Sequence, residues 1–167
     1  MMEEKFRAGV LTLSDKASRG ERKDESGRVA AEMLEQEGFA ILRQEVRPDD
    51  RARIVDTLKD WVDNDGLSLI ITSGGTGLSP TDVTPQAMEA VIDYPVPGMA
   101  EAMRAESLKK TPHAMISRAM AGVRGSCLIV NLPGSPAGVK ENLSVVLPAL
   151  KHALSKLGGD TTDCAAP

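Results

Sequence analysis

The stretch LSLIITSGGTG, residues 67–77, joins an apolar run directly to a glycine-rich loop, and it decides the fold. Its first half is typical of a central strand, because continuous apolar runs bounded by turn residues belong to strands that are buried on both faces. Similar runs stand at residues 8–13, 40–46 and 127–132. We therefore expect residues 67–72 to form one of several parallel strands whose carboxyl ends lead into ligand-binding loops.

Segments with helical periodicity alternate with these strands. They cover residues 27–37, 53–64 and 139–157. Pro148 is expected to kink or divide the last of them. Residues 95–125 interrupt the alternation, with helical patterns around 99–109 and 114–121, and should form helices and a loop over the carboxyl ends of the strands. The alternation predicts an α/β fold of three layers, α/β/α, around a mostly parallel central sheet.

Length and composition limit the function classes. The chain has 167 residues, a net charge of −4 and 2% aromatic residues. One domain over residues 1–167 is expected, with a small polar tail at residues 158–167 that frays. The acidic balance and the scarcity of aromatic side chains argue against a general nucleic-acid-binding protein. The first residues lack the pattern of a signal peptide and no apolar run is long enough to span a membrane, so the cytoplasm is the expected compartment.

Cysteine and histidine placement predicts neither a disulfide nor a zinc site. Cys127 lies in an apolar run and Cys164 in the polar tail, which favours one buried thiol and one free thiol. His113 and His152 make no recognisable zinc spacing with them.

The glycine-rich loop, residues 73–77, leaves the carboxyl end of its strand. Glycine allows positive φ and lets consecutive N–H groups converge on an anion. The loop lacks the Gly-Lys-Ser/Thr of a Walker A motif and is not a dinucleotide fingerprint. From the local sequence alone, a tight turn and a phosphate cradle are equally good interpretations.

Asp82 lies just before a helix that is expected to begin around Pro85. Thr84 is the expected N-cap, which leaves the carboxylate of Asp82 free. A carboxylate beside a phosphate cradle is repelled unless a cation lies between them, and Mg²⁺ prefers one or two carboxylates together with phosphate oxygens. We therefore expect Asp82 to be a Mg²⁺ ligand or to orient a water bound to the ion.

A second loop, NLPGSP at residues 131–136, also follows a strand. Helix capping explains Ser135 as N-cap and Pro136 as the first helical residue. It does not explain Asn131 and Gly134. Two glycine-bearing loops at strand ends suggest one shared ligand site.

Three further features have two interpretations each. Ser14 and Asp15 either face the same crevice or cap a surface loop, with equal weight. Asp49 is by local sequence a helix N-cap, with Asp50 as the alternate. The basic residues between 107 and 124 are by default a solvated helix face, and an anion-binding lid is the alternative.

Several motifs in one order resemble the MogA, MoaB and gephyrin G-domain family. They are TSGGTG at 72–77, DVTP at 82–85, SLK at 107–109, TP at 111–112, SRA at 117–119 and NLPGSP at 131–136. The resemblance extends over residues 6–159 and is nearest to the MogA type. It implies a molybdopterin adenylyltransferase, which transfers AMP from Mg-ATP to the phosphate of molybdopterin and releases pyrophosphate. Catalysis of this kind depends on positioning and electrostatic stabilisation, without a covalent enzyme intermediate.

The resemblance also implies roles for individual residues. Asp82 and Asp49 match the two carboxylates of the family, with catalytic and Mg²⁺-binding roles. The implied nucleotide and phosphate ligands are Gly74, Gly75, Thr76, Gly77, Asn131, Pro133 and Gly134. The implied molybdopterin ligands are Ser14, Ser107, Ser117 and Arg118. A homotrimer and a contact with a MoeA-like molybdate insertase are implied as well.

Two rival functions remain. One is a MoaB-type pterin-binding paralogue or scaffold without adenylyltransferase activity, which would not need both carboxylates. The other is a CinA-like nucleotide-hydrolysing domain, which should carry a water-activating base, and we find no good candidate for one. The motif at residues 82–85 and the run at 107–126 favour the active enzyme. Which loop holds ATP and which holds the pterin stays open.

Overall fold

A six-stranded sheet forms the centre of the molecule. The computed structural model describes residues 6–164. The strands are β1 (Arg7–Leu13), β2 (Ala40–Arg47), β3 (Leu69–Ser73), β4 (Tyr94–Pro95), β5 (Ala121–Arg124) and β6 (Cys127–Leu132). Their order in the sheet is β2-β1-β3-β6-β5-β4. The first four are parallel and the last two are antiparallel to their neighbours, which confirms the mostly parallel sheet.

Within the described residues, six α-helices cover the two faces of this sheet. They are α1 (Asp15–Ser18), α2 (Glu25–Gln36), α3 (Arg51–Asp63), α4 (Thr84–Glu89), α5 (Pro97–Leu108) and α6 (Pro136–Leu157). Alternate side chains of each strand enter two separate cores. On β1, Val10 packs with α2, α5 and α6, whereas Leu11 packs with α3 and α4. The three-layer prediction is therefore confirmed.

The prediction of helix at residues 114–121 is wrong. A short 3-10 helix covers Pro112–Ile116, and β5 begins at Ala121. The strand forms because Ala121 and Val123 add buried side chains to the sheet beside β6. A two-residue turn then connects Arg124 to its partner Cys127, and Gly125 supplies the positive φ of 57° that such turns require.

Helix ends follow the predicted signals in part. Ser135 accepts a hydrogen bond from the N–H of Gly138 at 3.0 Å, which confirms it as the cap of α6. α6 continues through Pro148 without division, and that proline lies on the exposed side. Asp50 caps α3 by accepting from Arg53 at 2.9 Å, so the interpretation of Asp49 as the cap is wrong.

Both cysteines are free, one buried at Cys127 and one exposed at Cys164, as expected. Burial raises the pKa of the Cys127 thiol to about 12. Within residues 6–164, no helix combines the length and hydrophobicity needed to cross a membrane. Residues 1–5, considered for a signal peptide, and residues 165–167 of the tail lie outside the described residues.

We expect the close packing at Gly9 to make substitution there destabilising. A Cβ at this position of β1 would lie 2.8 Å from the ring of Trp61 and 2.7 Å from Leu67 Cδ1. Gly9→Ala should lower the free energy of unfolding in urea by about 1–3 kcal/mol through overpacking. The control is Gly98→Ala in α5, where a Cβ meets no atom within 4 Å. Equal unfolding midpoints for the two variants would contradict the packing argument.

Candidate active site

The carbonyl groups of the glycine-rich loop are held from outside the loop. Thr84 donates to two of them, through its hydroxyl to Gly74 O at 2.9 Å and through its N–H to Gly75 O at 3.1 Å. Arg118 donates to the other two, through its N–H to Thr76 O at 2.8 Å and through Nε to Gly77 O at 2.9 Å. Every carbonyl from residue 74 to residue 77 is therefore fixed in orientation.

The N–H groups of the same loop remain available for a ligand. Gly74 N–H donates to Leu132 O at 3.0 Å. Within the part of the chain that the structure describes, no acceptor is found for the N–H groups of Gly75, Thr76 and Gly77. Positive φ angles of 101° at Gly74 and 66° at Gly75 turn the chain so that these groups follow one another. Consecutive free N–H groups form an anion-binding nest, whereas a simple tight turn would close on its own N–H groups.

Thr84 does not cap α4 as predicted. The capping position is Val83, which makes no side-chain hydrogen bond, and Thr84 is fully buried beneath the loop. Its hydroxyl touches the place where a Cβ on Gly75 would stand. Glycine at position 75 is therefore required both by its φ and by Thr84.

Asp49 and Asp82 lie on either side of the loop. Asp49 Oδ2 accepts from the N–H of Asp15 at 3.2 Å, and Asp49 N–H donates to Asp15 Oδ1 at 2.9 Å. Asp49 Oδ1 is buried and has no hydrogen-bond partner among residues 6–164, and it lies 3.2 Å from the Cβ position of Gly75. Asp82 Oδ2 accepts from Ser79 N–H at 3.0 Å and lies 2.8 Å from the Cβ position of Gly77.

The pKa of Asp49 is raised. Burial is the largest cause, the charges of Asp15 and Asp82 add to it, and the hydrogen bond from the Asp15 backbone opposes it. A cation beside Asp49 would offset the cost of burying its charge and the repulsion from Asp15 and Asp82. The orphaned Asp49 Oδ1 and the carboxylate of Asp82 fit Mg²⁺, which is commonly bound by one or two carboxylates and by phosphate oxygens. Among the described residues no group of three or more His, Cys, Asp or Glu could hold a metal alone, so phosphate or water would complete the coordination.

The second loop touches the first. A Cβ on Gly134 would stand 3.2 Å from the Cα of Gly74. Ser26 fixes the loop by donating from Oγ to Gly134 O at 2.6 Å. Asn131 is fully buried below the loops, where Nδ2 donates to Thr72 Oγ1 at 3.0 Å. Asn131 therefore lies behind the loops rather than on their surface.

Two cavities meet at these loops. The Asp49 cavity, of about 650 Å³, is lined among others by Ser14, Asp49, Gly74, Gly75, Asp82 and Gly134. The Ser107 cavity, of about 420 Å³, is lined among others by Thr76, Gly77, Ser107, Ser117, Pro133 and Asn142. Ser135 lines both. Both volumes are within the range of small-molecule sites. Ser14 is thus brought to Asp49 and is separated from Ser107 and Ser117, with which the resemblance had grouped it.

Arg118 differs from the other basic residues of its segment. Besides Gly77 O, its guanidinium donates to Asp82 O at 2.8 Å, so it holds the loop and lines neither cavity. Lys109 pairs with Glu106 and Arg124 with Asp63, and both pairs lie at the surface. The solvated-face interpretation therefore describes Lys109 but not Arg124, which ends β5 and also donates to Val91 O at 3.0 Å, nor Arg118.

Several residues that position the site carry no signal of that role in the sequence. They are Ser26, Arg104 and Asn142, together with Thr84, which was expected only as a helix cap. Arg104 donates to the carbonyls of Ala119 at 2.8 Å and Ser117 at 3.4 Å, which fixes the wall of the Ser107 cavity. No local signal could have identified these residues, because their partners are distant in sequence or belong to other elements.

Comparisons with known proteins show the family of the chain. The family model described as "Probable molybdopterin binding domain" matches residues 9–152. The molybdopterin adenylyltransferase of Helicobacter pylori is 39% identical over 154 residues, which are 91% of this chain and 88% of that protein. Two longer relatives are Drosophila melanogaster cinnamon, 36% identical, and Dictyostelium discoideum gephyrin, 38% identical. The chain aligns over 92% and 91% of its own length but spans only 26% and 22% of theirs.

Solved structures show the same fold. The molybdopterin biosynthesis enzyme MoaB from Thermus thermophilus is 50% identical, with a TM-score of 0.86 over 93% of this chain and 98% of that one. The molybdopterin biosynthesis Mog protein from Mycobacterium ulcerans is 44% identical, with a TM-score of 0.86 over 91% and 99%. The expected MogA/MoaB-like fold is confirmed.

We expect Gly75→Ala to abolish anion binding at the nest. The variant should bind Mg-ATP at least about tenfold more weakly in calorimetric titration, because its Cβ displaces Thr84 and crowds Asp49. Gly125→Ala is the control, since Gly125 has a similar φ of 57° and its Cβ would meet nothing within 4 Å. Both variants should be less stable by about 1–2 kcal/mol, because alanine is disfavoured at a positive φ. Equal Mg-ATP affinities would rule out the nest.

The raised pKa of Asp49 predicts a pH-dependent gain in stability for Asp49→Asn. The native state holds this proton more tightly than the unfolded chain, so ionisation of Asp49 destabilises the fold above the unfolded pKa of about 3.9. At pH 7 the variant should be more stable by up to about 1 kcal/mol, since the site is only partly buried.

The gain should vanish below pH of about 3.9, where the carboxyl is protonated in both states. Urea unfolding over a pH series measures it. Asp50→Asn, which keeps a capping side chain on α3, gives the effect of removing a neighbouring charge. A variant less stable than wild type at pH 7 would refute the account of Asp49.

Proposed function

The chain belongs to the molybdopterin-binding domain family, and from this premise we propose that it is a molybdopterin adenylyltransferase of molybdenum cofactor biosynthesis. It transfers AMP from Mg-ATP to the phosphate of molybdopterin and releases pyrophosphate. One observation supports this most directly. The free N–H groups of Gly75, Thr76 and Gly77 lie where two cavities meet, with Asp49 and Asp82 beside them. A two-substrate phosphoryl reaction needs this combination.

Each cavity suits one substrate. The Asp49 cavity has Arg22 and Lys23 on its wall besides the carboxylates, which suits a polyphosphate chain. The Ser107 cavity has apolar walls formed by residues such as Met103 and Ile116, with polar groups on one side, which suits a bicyclic ring. The phosphate of molybdopterin then meets the α-phosphate of ATP at the loop.

The reaction needs little chemistry from the protein. An oxygen of the molybdopterin phosphate forms a bond to the α-phosphorus of ATP, and the bond from that phosphorus to the bridging oxygen of pyrophosphate breaks. The attacking oxygen belongs to a phosphate that is largely ionised at neutral pH, so no general base has to remove a proton. The N–H groups of the nest stabilise charge on the transferred group, and the fixed loop holds the two substrates in line.

Asp49 and Asp82 are the residues that would hold Mg²⁺. The bound ion would neutralise charge on the phosphates. Without a cation, the carboxylates would repel the polyphosphate. Ser14, Asn131, Pro133 and Gly134 complete the proposed nucleotide side by shaping or supporting its wall, and Ser107 and Ser117 belong to the pterin side. Arg118 acts on both through the loop that it holds.

We also propose a homotrimer located in the cytoplasm, in contact with a MoeA-like molybdate insertase. Exposed large apolar side chains support association. Leu78 is 64% exposed and Met115 is 66% exposed. Such residues are common at surfaces that meet a partner.

A MoaB-type paralogue without adenylyltransferase activity is the second candidate. The 50% identity to the Thermus MoaB favours it. Retention of both Asp49 and Asp82 favours the enzyme, because a protein that only binds the pterin has no use for a carboxylate pair beside an anion site.

Asp82→Asn tests the proposal. Purified wild-type protein with molybdopterin, ATP and Mg²⁺ should form adenylated molybdopterin and pyrophosphate. The variant should be slower by about 10²-fold or more, the usual effect of removing one group that stabilises transition-state charge. Glu89→Gln, which changes an exposed carboxylate at the end of the helix after Asp82, should keep full activity. Folded wild-type protein that binds molybdopterin but forms no product would support the MoaB-type candidate.

A further inference from the structure

Glu141 is the least explained polar group of the Ser107 cavity. It lies on α6 and lines that cavity beside Asn142. Its Oε1 is buried, and no hydrogen-bond donor reaches it within residues 6–164. Lys110 Nζ forms an ion pair with this same oxygen at 3.5 Å, but Lys110 is itself largely exposed and is not part of the cavity wall. The carboxylate thus has a cation nearby and no hydrogen-bond donor among the described residues, which leaves it open to a donor from a ligand in the cavity.

The neighbours of Glu141 also present acceptors. Asn142 Nδ2 donates to Gly138 O at 2.8 Å, so the amide oxygen is the group left facing Ser107. Ser107 Oγ donates to that oxygen at 3.5 Å, which leaves the lone pairs of Ser107 Oγ for other donors. Arg104 also lines the cavity, but its Nη1 is used by backbone carbonyls. The part of the wall formed by Glu141, Asn142 and Ser107 therefore favours a ring edge that carries several donors.

A pterin ring has such an edge. Its 2-amino group and the adjacent ring N3–H point the same way, as the N–H groups of a guanidinium do, and this pair matches the two oxygens of a carboxylate. Adenine differs, because its amino group stands between two ring nitrogens that accept hydrogen bonds. A carboxylate facing adenine would therefore meet a lone pair beside the one donor group.

We propose that Glu141 selects the pterin ring by accepting hydrogen bonds from its 2-amino group and N3–H. The proposal rests on the proposed function insofar as it places the pterin in the Ser107 cavity. It assigns a specificity-determining residue outside the motifs of the sequence. It also explains why a site with two cavities does not accept a nucleotide base in both.

The test compares two ring probes without any chemistry. Free pterin is titrated by its fluorescence, and pteridin-4-one, which lacks the 2-amino group, is measured by competition. Wild-type protein should bind pterin at least about tenfold more tightly than pteridin-4-one. Glu141→Gln, which places an amide donor against the donor edge, should lose this preference and leave Mg-ATP affinity unchanged. Glu141→Asp should restore part of the preference.

Lys110→Met distinguishes recognition from a structural ion pair. This variant removes the ammonium and keeps the carboxylate in the cavity, so it should keep the preference for pterin. Thermal unfolding confirms that each variant is folded. In turnover, Glu141→Gln should raise KM for molybdopterin by about tenfold or more and change kcat little, because the ring is far from the reacting phosphorus.

Each outcome decides between the proposals. Three results would each overturn the role of Glu141. The first is a Glu141→Gln variant that prefers pterin over pteridin-4-one as strongly as wild type does. The others are a Lys110→Met variant that has lost this preference and a wild-type protein that never shows it. A Glu141-dependent preference in a protein that forms no adenylated product would uphold that role and reject the adenylyltransferase. If wild-type protein forms the adenylated product and Glu141→Gln leaves the preference for pterin unchanged, the adenylyltransferase is upheld and the role of Glu141 is rejected.

Discussion

The site depends on the register of three parallel strands. Thr12 of β1 pairs with Ser73 of β3, and Ser73 pairs with Leu132 of β6. All three strands therefore end at one level, and Gly74 N–H reaches Leu132 O across the boundary. A slip of one residue would turn every apolar side chain of a strand to the opposite core. Because both faces of β3 are buried, that slip would exchange its side chains between two packed cores, and the mismatch of side-chain volumes opposes it. The register therefore fixes the distance between the two glycine loops.

The electrostatic arrangement is unfavourable in the absence of substrates. Asp49 has its charge disfavoured by burial and by Asp15 and Asp82. Close by, the free N–H groups at residues 75–77 attract negative charge. A protein selected for stability alone would avoid both features. The proposed function would explain their coexistence, because its substrates bring anionic phosphate to the N–H groups and a cation to the carboxylates.

The sequence predicted correctly those elements whose formation depends on residues close together in the chain. The four long strands and the cap at Ser135 follow from apolar runs and a capping serine, whereas glycine spacing left the loop at residues 73–77 open between a tight turn and a phosphate cradle. The helix expected at residues 114–121 was wrong, because residues 112–116 form a 3-10 helix and β5, which begins at Ala121, forms only by pairing with β6. The choice between Asp49 and Asp50 as cap was open because both precede α3, and only the contact with Asp15 decides it. Thr84 was expected only as a cap and Glu141 was not singled out for the same reason, since the contacts of both come from groups that the fold brings near.

The two halves of the site constrain evolution differently. In the proposed reaction the nest contacts its ligand through backbone N–H groups, so side chains there matter mainly through their absence, as the crowded Cβ positions of Gly75 and Gly77 show. Such a contact by itself selects for phosphate and not for one particular substrate. In the proposed reaction, recognition of the ring instead uses side chains such as Glu141 and Asn142, and turnover uses carboxylates such as Asp82, which line the two cavities. Under that proposal the glycine loop supplies only the phosphate contacts, and these few side chains decide which substrate is bound and whether it reacts.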